Sequence, residues 1–331
     1  MRLPWHAPAP IKQRGVALLI ALVVLAIAAT LSTAMIWSRE LDVRRFANIK
    51  QGDQALEYAL GAEAWAEQIL RRDFQSNSGI TDLIQDWAMQ LPSLPVQGGS
   101  VTGRLEDLQG LFNVNNLASN NAPEAAAALA QFQRLLVNLN LDPDIANAVR
   151  DWVNTGDQPH YPGGAKDDFY SRLDPPYITA EQPMTSISEL LLVKGVTPQV
   201  YAALLPYVCA LPLQVPGSQP EQILNALAIN INTAPAAVLA SLNSGITASA
   251  AEAAVQTRMQ QPYQSLNDLT RLWNISPAAG VQTSLTSSYF QLTAQVKIGS
   301  TQITLYSLLY RTSQNNGDGA TVAIRRTFGT L

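Results

Sequence analysis

Few side chains in this sequence have the types that catalysis needs. The chain of 331 residues has two histidines, His6 and His160, and one cysteine, Cys209. His160 stands alone in a proline-rich loop, and Cys209 has apolar neighbours, which favours a small buried hydrophobic residue. No G-x-S-x-G, P-loop, H-E-x-x-H or C-x-x-C motif occurs. We therefore predict that the protein is not an enzyme.

The composition allows a sizeable core and gives no sign of nucleic-acid binding. Hydrophobic residues make up 47% of the chain and charged residues 14%, which suits one large domain or two ordinary ones. The formal net charge is −4 and the isoelectric point is near 5.2. Nucleic-acid binders normally carry a basic face, so any such function would need a local basic patch.

An uncharged segment near the N-terminus is long enough to cross a membrane. No charged residue occurs from Val16 to Trp37, and about 20 apolar residues cross a bilayer core as a helix. Arg2, Lys12 and Arg14 precede the segment, so we expect the N-terminal side to stay in the cytoplasm. Apolar spacing predicts that the helix continues to about Phe74. A cleaved secretory signal and an uncleaved signal anchor are the alternatives.

The start of this segment resembles a type IV prepilin junction. A basic leader ends in Gly15, and the apolar helix begins at Val16. The resemblance implies that a prepilin peptidase cuts between Gly15 and Val16 and methylates the new amino group of Val16. Most pilins have glutamate at the fifth mature position, where this chain has Ile20. A carboxylate in the membrane needs a partner, so its absence implies a subunit with no neighbour above it, at the tip.

A second segment resembles a more specific signature. Residues 107–117 fit the pattern D-x-x-G-x-F-N-x-N-N-L, from Asp107 and Gly110 to Leu117. This pattern is similar to that of the K-type minor pseudopilins of type II secretion systems, the GspK family. The resemblance implies a tip subunit of the periplasmic pseudopilus that helps to start assembly and export of folded proteins. The implied partners are the I- and J-type minor pseudopilins, then the H-type, the major pseudopilin filament, the prepilin peptidase and the inner membrane.

An acidic loop follows Asn154. Members of the family can bind calcium here, and calcium takes six to eight oxygen ligands. Four carboxylates of this chain are candidate ligands: Asp157, Asp167, Asp168 and Asp174. Lys166 stands where the family usually has an acid. The alternative is a solvated loop whose aspartates cap local turns.

A later segment resembles helix-hairpin-helix repeats. Residues 231–239 open a helix, Gly245-Ile246-Thr247 forms a hairpin, and a second helix follows to Met259. Such repeats bind DNA phosphates through hairpin amides and nearby cations. No lysine or arginine occurs from Ile223 to Thr257. The sequence therefore favours helical packing or protein contact, with a DNA-binding protein of a competence-like pilus as the alternative.

Alternating residues predict three C-terminal strands, at 289–298, 301–312 and 321–330, with a tight turn at Gly299-Ser300. Earlier segments predict a helix at 81–90, strands at 100–107 and 111–115, and helices at 125–138 and 143–153. The predicted fold class is α+β: a pilin-like long N-terminal helix on a small antiparallel sheet, with a large helical domain inserted between strands. The predicted boundaries are a leader at 1–15, a transmembrane half-helix at 16–37, a periplasmic helix and first strands at 38–120, an inserted helical domain at 121–225, a helix-hairpin-helix-like segment at 226–285 and C-terminal strands at 286–331.

Overall fold

The computed structural model describes residues 14–76, 80–89, 92–214, 225–312 and 319–329. Four predicted stretches extend beyond these ranges: residues 1–13 of the leader, Gln90 of the helix at 81–90, residues 215–224 of the insertion and Thr330 of the strand at 321–330. The chain divides into two compact units, residues 1–54 and 55–331. Each unit is described by itself below.

The first unit consists, over its described residues, of one helix. Helix α1 (Arg14–Ser76) begins in this unit and ends in the second, close to the predicted end at Phe74. Every side chain from Val16 to Phe46 is exposed. Within the described ranges, α1 is the single helix long and apolar enough to cross a membrane. An exposed apolar surface of this length matches a lipid environment better than water.

The second unit contains a five-stranded antiparallel sheet. Its order is β1-β2-β7-β8-β9, and the bounds are β1 (Leu94–Val96), β2 (Gly99–Asp107), β7 (Tyr289–Ile298), β8 (Thr301–Arg311) and β9 (Thr321–Phe328). Strand β2 pairs with β7 over its whole length, from Gly99 opposite Ile298 to Asp107 opposite Phe290. The β7–β8 hairpin turns at Gly299-Ser300, because Ile298 faces Thr301. The predicted C-terminal strands and this turn are confirmed.

The C-terminal part of α1 packs on one face of this sheet. Ala55, Ala59, Ala66 and Leu70 are fully buried or nearly so, and their spacing places them on one side of the helix. They share a core with every second residue of β7, from Phe290 to Ile298. Alanine at three of the four helix positions allows the helix to lie close to the strand.

A mainly helical region is inserted between β2 and β7. Its helices are α2 (Ala122–Asn138), α3 (Ile145–Val153), α4 (Asp167–Tyr170), α5 (Pro198–Leu204), α6 (Ala236–Ser241), α7 (Ala248–Gln260) and α8 (Leu266–Trp273). Four two-residue strands form two parallel pairs, β3 (Phe112–Asn113) with β4 (Val208–Cys209) and β5 (Ile229–Asn230) with β6 (Thr283–Ser284). One core cluster runs from Phe112 to Leu269 and joins these elements. The fold is therefore α+β, with helices inserted between two strands of the sheet, as the sequence predicted.

Two local predictions are wrong. The predicted helix at 81–90 is a turn followed by a single 3-10 turn at Asp86–Ala88. The Gln85 side chain accepts bonds from Asp82 N and Trp87 Nε1 and so competes with helical bonding. The predicted strand at 111–115 is only Phe112–Asn113, because the Asn113 side chain accepts from Asn115 N and turns the chain into a 3-10 helix at Val114–Ala118.

Candidate functional site

The signature segment begins with a carboxylate that collects hydrogen bonds from distant parts of the chain. Asp107 Oδ2 accepts from Ser287 Oγ at 2.5 Å and from Thr233 Oγ1 at 2.6 Å. Asn230 Nδ2 donates to the same oxygen at 3.1 Å, and Gln109 N donates to Oδ1 at 2.8 Å. Burial raises the pKa of Asp107, against the lowering effect of these bonds. The carboxylate therefore joins the end of β2 to two segments of the insertion.

A buried arginine lies beside this carboxylate cluster. Arg311, at the end of β8, is 2% exposed and donates through Nη2 to Thr81 Oγ1 at 2.8 Å and Ser287 O at 2.6 Å. Its guanidinium stacks over the rings of Phe74 and Phe290. Burial lowers its pKa to about 10, and the charge of Asp107 raises it. Arg311 thus ties the sheet to the chain that follows α1 and to the end of the insertion.

Glycine is required at the next signature position because of a close backbone approach. A Cβ atom on Gly110 would lie 2.7 Å from Thr233 Oγ1 and 2.9 Å from Thr233 C. Two residues later, the ring of Phe112 stacks on Phe132 of α2 with centroids 5.0 Å apart. The pattern G-x-F therefore fixes this segment against two parts of the insertion.

The signature asparagines hold two further stretches of the insertion. Asn115 Nδ2 donates to Met184 O and Leu211 O, both at 2.9 Å, and Met184 N donates to Asn115 Oδ1 at 2.7 Å. Asn113 bonds both backbone groups of Leu211. Asn116 does the same with Leu227. All three asparagines are buried, so these side chains organise the interior of the insertion.

The structure does not bring the acidic-loop carboxylates together. Asp157 and Asp174 are exposed, and Asp168 is fully exposed beside Arg172. Asp167 accepts bonds from Thr179 Oγ1 and Thr179 N, which lower its pKa. Over the described part of the chain, no group of three Asp, Glu, His or Cys side chains could hold a metal ion. Calcium binding by these four residues stays a prediction with no ligand set to support it.

The other side chains with potential chemistry have internal partners. Asp151 is fully buried, and its carboxylate contacts His160 Nδ1 at 2.5 Å and accepts from His160 N at 2.9 Å. Cys209 is buried, and burial raises its pKa. A raised pKa disfavours the reactive thiolate. Both arrangements stabilise loops and strands, as the sequence indicated.

The helix-hairpin-helix-like segment uses its own polar groups. Asn243 Oδ1 accepts from Gly245 N at 2.9 Å, and Thr247 Oγ1 accepts from Ala250 N at 3.2 Å. Arg258, the first cation after the hairpin, is 4% exposed and donates to Ile231 O at 2.7 Å. The hairpin amides and this cation therefore contact the protein itself, which favours the packing role.

The predicted processing junction lies at the start of α1. Gly15 and Val16 are both within the helical backbone. The side chains of Val16 and Ile20 are 60% and 57% exposed. Ile20 lies on the uncharged stretch, one turn after Val16.

Comparison with protein families and known proteins decides the class. Two models described as "Type II secretion system (T2SS), protein K" match residues 110–213 and 229–293. The protein K of Pectobacterium carotovorum subsp. carotovorum is 35% identical over 323 residues, 92% of this chain and 94% of that protein. The chain belongs to the type II secretion system protein K family.

Other members of the protein K family agree in length and fold. The Aeromonas hydrophila protein K is 31% identical over 324 residues, 92% of this chain and 95% of that protein. A chain in the crystal structure of the GspK-GspI-GspJ complex from enterotoxigenic Escherichia coli has 23% identity and a TM-score of 0.70. The match covers 87% of this chain and 100% of that one. The chain is therefore a minor pseudopilin of type II secretion.

One buried charged cluster between α1 and the sheet was not predicted from the sequence, and the protein K family assignment does not explain it. Glu63 on α1 is 4% exposed and forms a two-oxygen ion pair with Arg326 of β9, at 2.7–2.9 Å. Glu63 also accepts from Ser307 of β8, and Glu67 accepts from Ala323 N at 3.0 Å. The i,i+4 spacing of two acids on the buried side of α1 is the signal that could have predicted it.

Proposed function

We propose that this chain is the tip subunit of a type II secretion pseudopilus. It is anchored in the inner membrane by residues 16–37, with its N-terminus in the cytoplasm and its bulk in the periplasm. Membership of the protein K family and the one apolar helix support this proposal. The three basic residues before the helix support the orientation.

The proposed tip position rests on the isoleucine at position 20. The uncharged helix begins directly at the prepilin-like junction, yet it has no acid at the fifth mature position. A glutamate there pairs with a neighbouring subunit's terminal amine, because an unpaired charge in the membrane is costly. A subunit without the acid makes no such pair and starts the filament. The large insertion at 108–288 would also hinder a subunit stacked above it.

The partners follow from the same proposal. The structural relative comes from a complex of GspK, GspI and GspJ. We propose that this chain likewise assembles with I- and J-type minor pseudopilins, and through them with the H-type subunit and the major pseudopilin. Their contacts with residues 16–54 would cover apolar side chains that are exposed in the single chain.

Processing is tested by changing Gly15. A Gly15→Val variant should keep its leader and fail to restore secretion in a strain that lacks the chain. A Gly52→Val variant is a matched control, because a Cβ atom on Gly52 has no neighbour within 4 Å. It should be processed and should restore secretion. A Gly15→Val variant that secretes normally with its leader attached would contradict the proposal.

Location is tested by immunogold labelling of pili with an antibody against the insertion. Label at one end of each pilus is the expected result. Label along the shaft would contradict the tip position and would leave the processing result unaffected.

A further inference from the structure

One lysine in the acidic loop is almost completely buried. Lys166 is 4% exposed and precedes helix α4. Its ammonium Nζ donates to Asn154 O at 2.5 Å and lies 3.8 Å from Glu181 Oε1. A buried ammonium is unfavourable unless oxygen atoms replace its water. The two oxygen contacts therefore identify a site built around a positive charge.

We infer that the Lys166 ammonium is the cation that holds the loop of residues 154–181 together, in place of a bound metal ion. Its contacts join three separated parts of the loop. Asn154 follows the last turn of α3 and caps it, with Asn154 N donating to Arg150 O. Glu181 comes from the end of the loop and donates its own N to Trp152 O at 3.0 Å.

Two further interactions hold the two ends of this loop together. A positive charge beside the carboxyl end of α3 interacts favourably with the helix dipole. Asp167, the neighbour of Lys166, accepts two bonds from Thr179, at 2.6 and 2.8 Å. Lys166 thus holds Glu181 near the end of α3 through its ammonium. The neighbouring Asp167 holds Thr179 through its carboxylate.

The same arrangement disfavours a divalent ion. An ammonium among the loop's oxygen atoms repels a second cation at short distance. All four predicted calcium ligands are exposed, and within the described residues they form no cluster that could hold a metal ion. The loop of this chain therefore folds without calcium, and the stability of the insertion is independent of calcium in the surroundings.

Thermal unfolding of the full-length chain in detergent tests this inference. The midpoint should be the same in a chelator and in millimolar calcium. Lys166→Met should lower the midpoint by roughly 6 °C or more, because the Glu181 carboxylate and Asn154 O lose their cation. Lys194→Met is the matched control. Lys194 belongs to the same region and contacts Gly164 O at 3.4 Å, but it is partly exposed, so its shift should be less than half as large.

Two results would overturn the inference. One is a wild-type midpoint that falls in chelator and recovers in calcium; the other is a Lys166→Met variant that unfolds at the wild-type temperature. If Lys166→Met does not fold, the metal content of the purified wild-type chain decides. Absence of bound calcium after dialysis against calcium buffer supports the inference, and one calcium per chain contradicts it.

Discussion

The signature segment and the acidic loop use polar residues in opposite ways. The aspartate and asparagines at 107–116 have partners that lie up to 180 residues away in sequence, and the asparagines are fully enclosed. The carboxylates at 157–174 are exposed, and Asp167 and Asp168 contact Thr179 and Arg172 of the same loop. Substitution in the first region leaves buried donors and acceptors without hydrogen-bond partners, which destabilises the fold. In the second region, the groups that lose a partner can bond water instead.

The two regions therefore differ in how strictly the fold specifies their residue types. The signature joins the sheet to the insertion at several points, so its residue types are fixed by geometry. The loop needs only a positive charge near Asn154 O, and here Lys166 supplies it. The signature is therefore structural, and the loop that resembles a metal site contains its own cation.

The largest expected effect is that of Asp107→Ala. Four donors lose their acceptor, so the free energy of unfolding should fall by about 3 kcal/mol or more. Urea unfolding of the full-length chain in detergent measures it. Glu106→Ala is the control, because Glu106 is on the same strand but is exposed and pairs with Arg104 on the surface. It should cost less than about 1 kcal/mol. Equal losses would contradict the structural role of the signature.

The pH dependence of stability tests the role of the Asp107 carboxyl group. Burial raises the pKa of Asp107, so the folded chain binds this proton more tightly than the unfolded chain. The stabilisation is complete below the ordinary pKa of aspartate and is lost as the pH rises through the raised value. The difference in unfolding free energy between wild type and Asp107→Asn should therefore decrease with rising pH. A difference that grows with pH would show that the carboxylate is favoured in its charged form.

A smaller loss is expected for Asn115→Ala. This change leaves Met184 N without its acceptor and Met184 O without its side-chain donor, whereas Leu211 O keeps the bond from Asn113 Nδ2. The unfolding free energy should fall by about 2 kcal/mol. Asn120→Ala, at an exposed position of the same stretch, should change it by less than about 0.5 kcal/mol. Similar values for the two variants would remove the distinction between interior and surface asparagines.

The smallest effects are expected in the acidic loop. Asp157→Ala and Asp174→Ala remove exposed carboxylates, so each should change the unfolding free energy by less than about 0.5 kcal/mol, with or without calcium. A loss above 1 kcal/mol that appears only in calcium would indicate a shared metal ion.

Local signals predicted the regular elements well. The C-terminal strands follow from alternation and from the Gly299-Ser300 turn, and α2 and α3 follow from helical periodicity. The failures occur where side chains bond the backbone. Gln85 breaks the predicted helix at 81–90, and Asn113 ends the predicted strand after two residues. Secondary-structure propensities do not include this competition, because the competition depends on which side chain reaches which backbone group in the folded chain.

The candidate sites were predictable only in part. The signature could be found in the sequence, but its partners Ser287, Thr233 and Asn230 could not, since they depend on the tertiary fold. Likewise, Lys166 was visible as a departure from the family pattern, whereas its burial was not. The ion pair of Glu63 with Arg326 joins residues 263 positions apart. Spacing along α1 could place Glu63 on the buried side of the helix, but it could not identify Arg326 as the partner.

Mass spectrometry of the mature N-terminus tests the central claim most directly, because a pseudopilin must be cut at its prepilin junction. The account predicts that the chain purified from membranes begins at Val16 and carries one methyl group on its amino nitrogen. A chain that begins at Met1, or one cut anywhere other than between Gly15 and Val16, would contradict it.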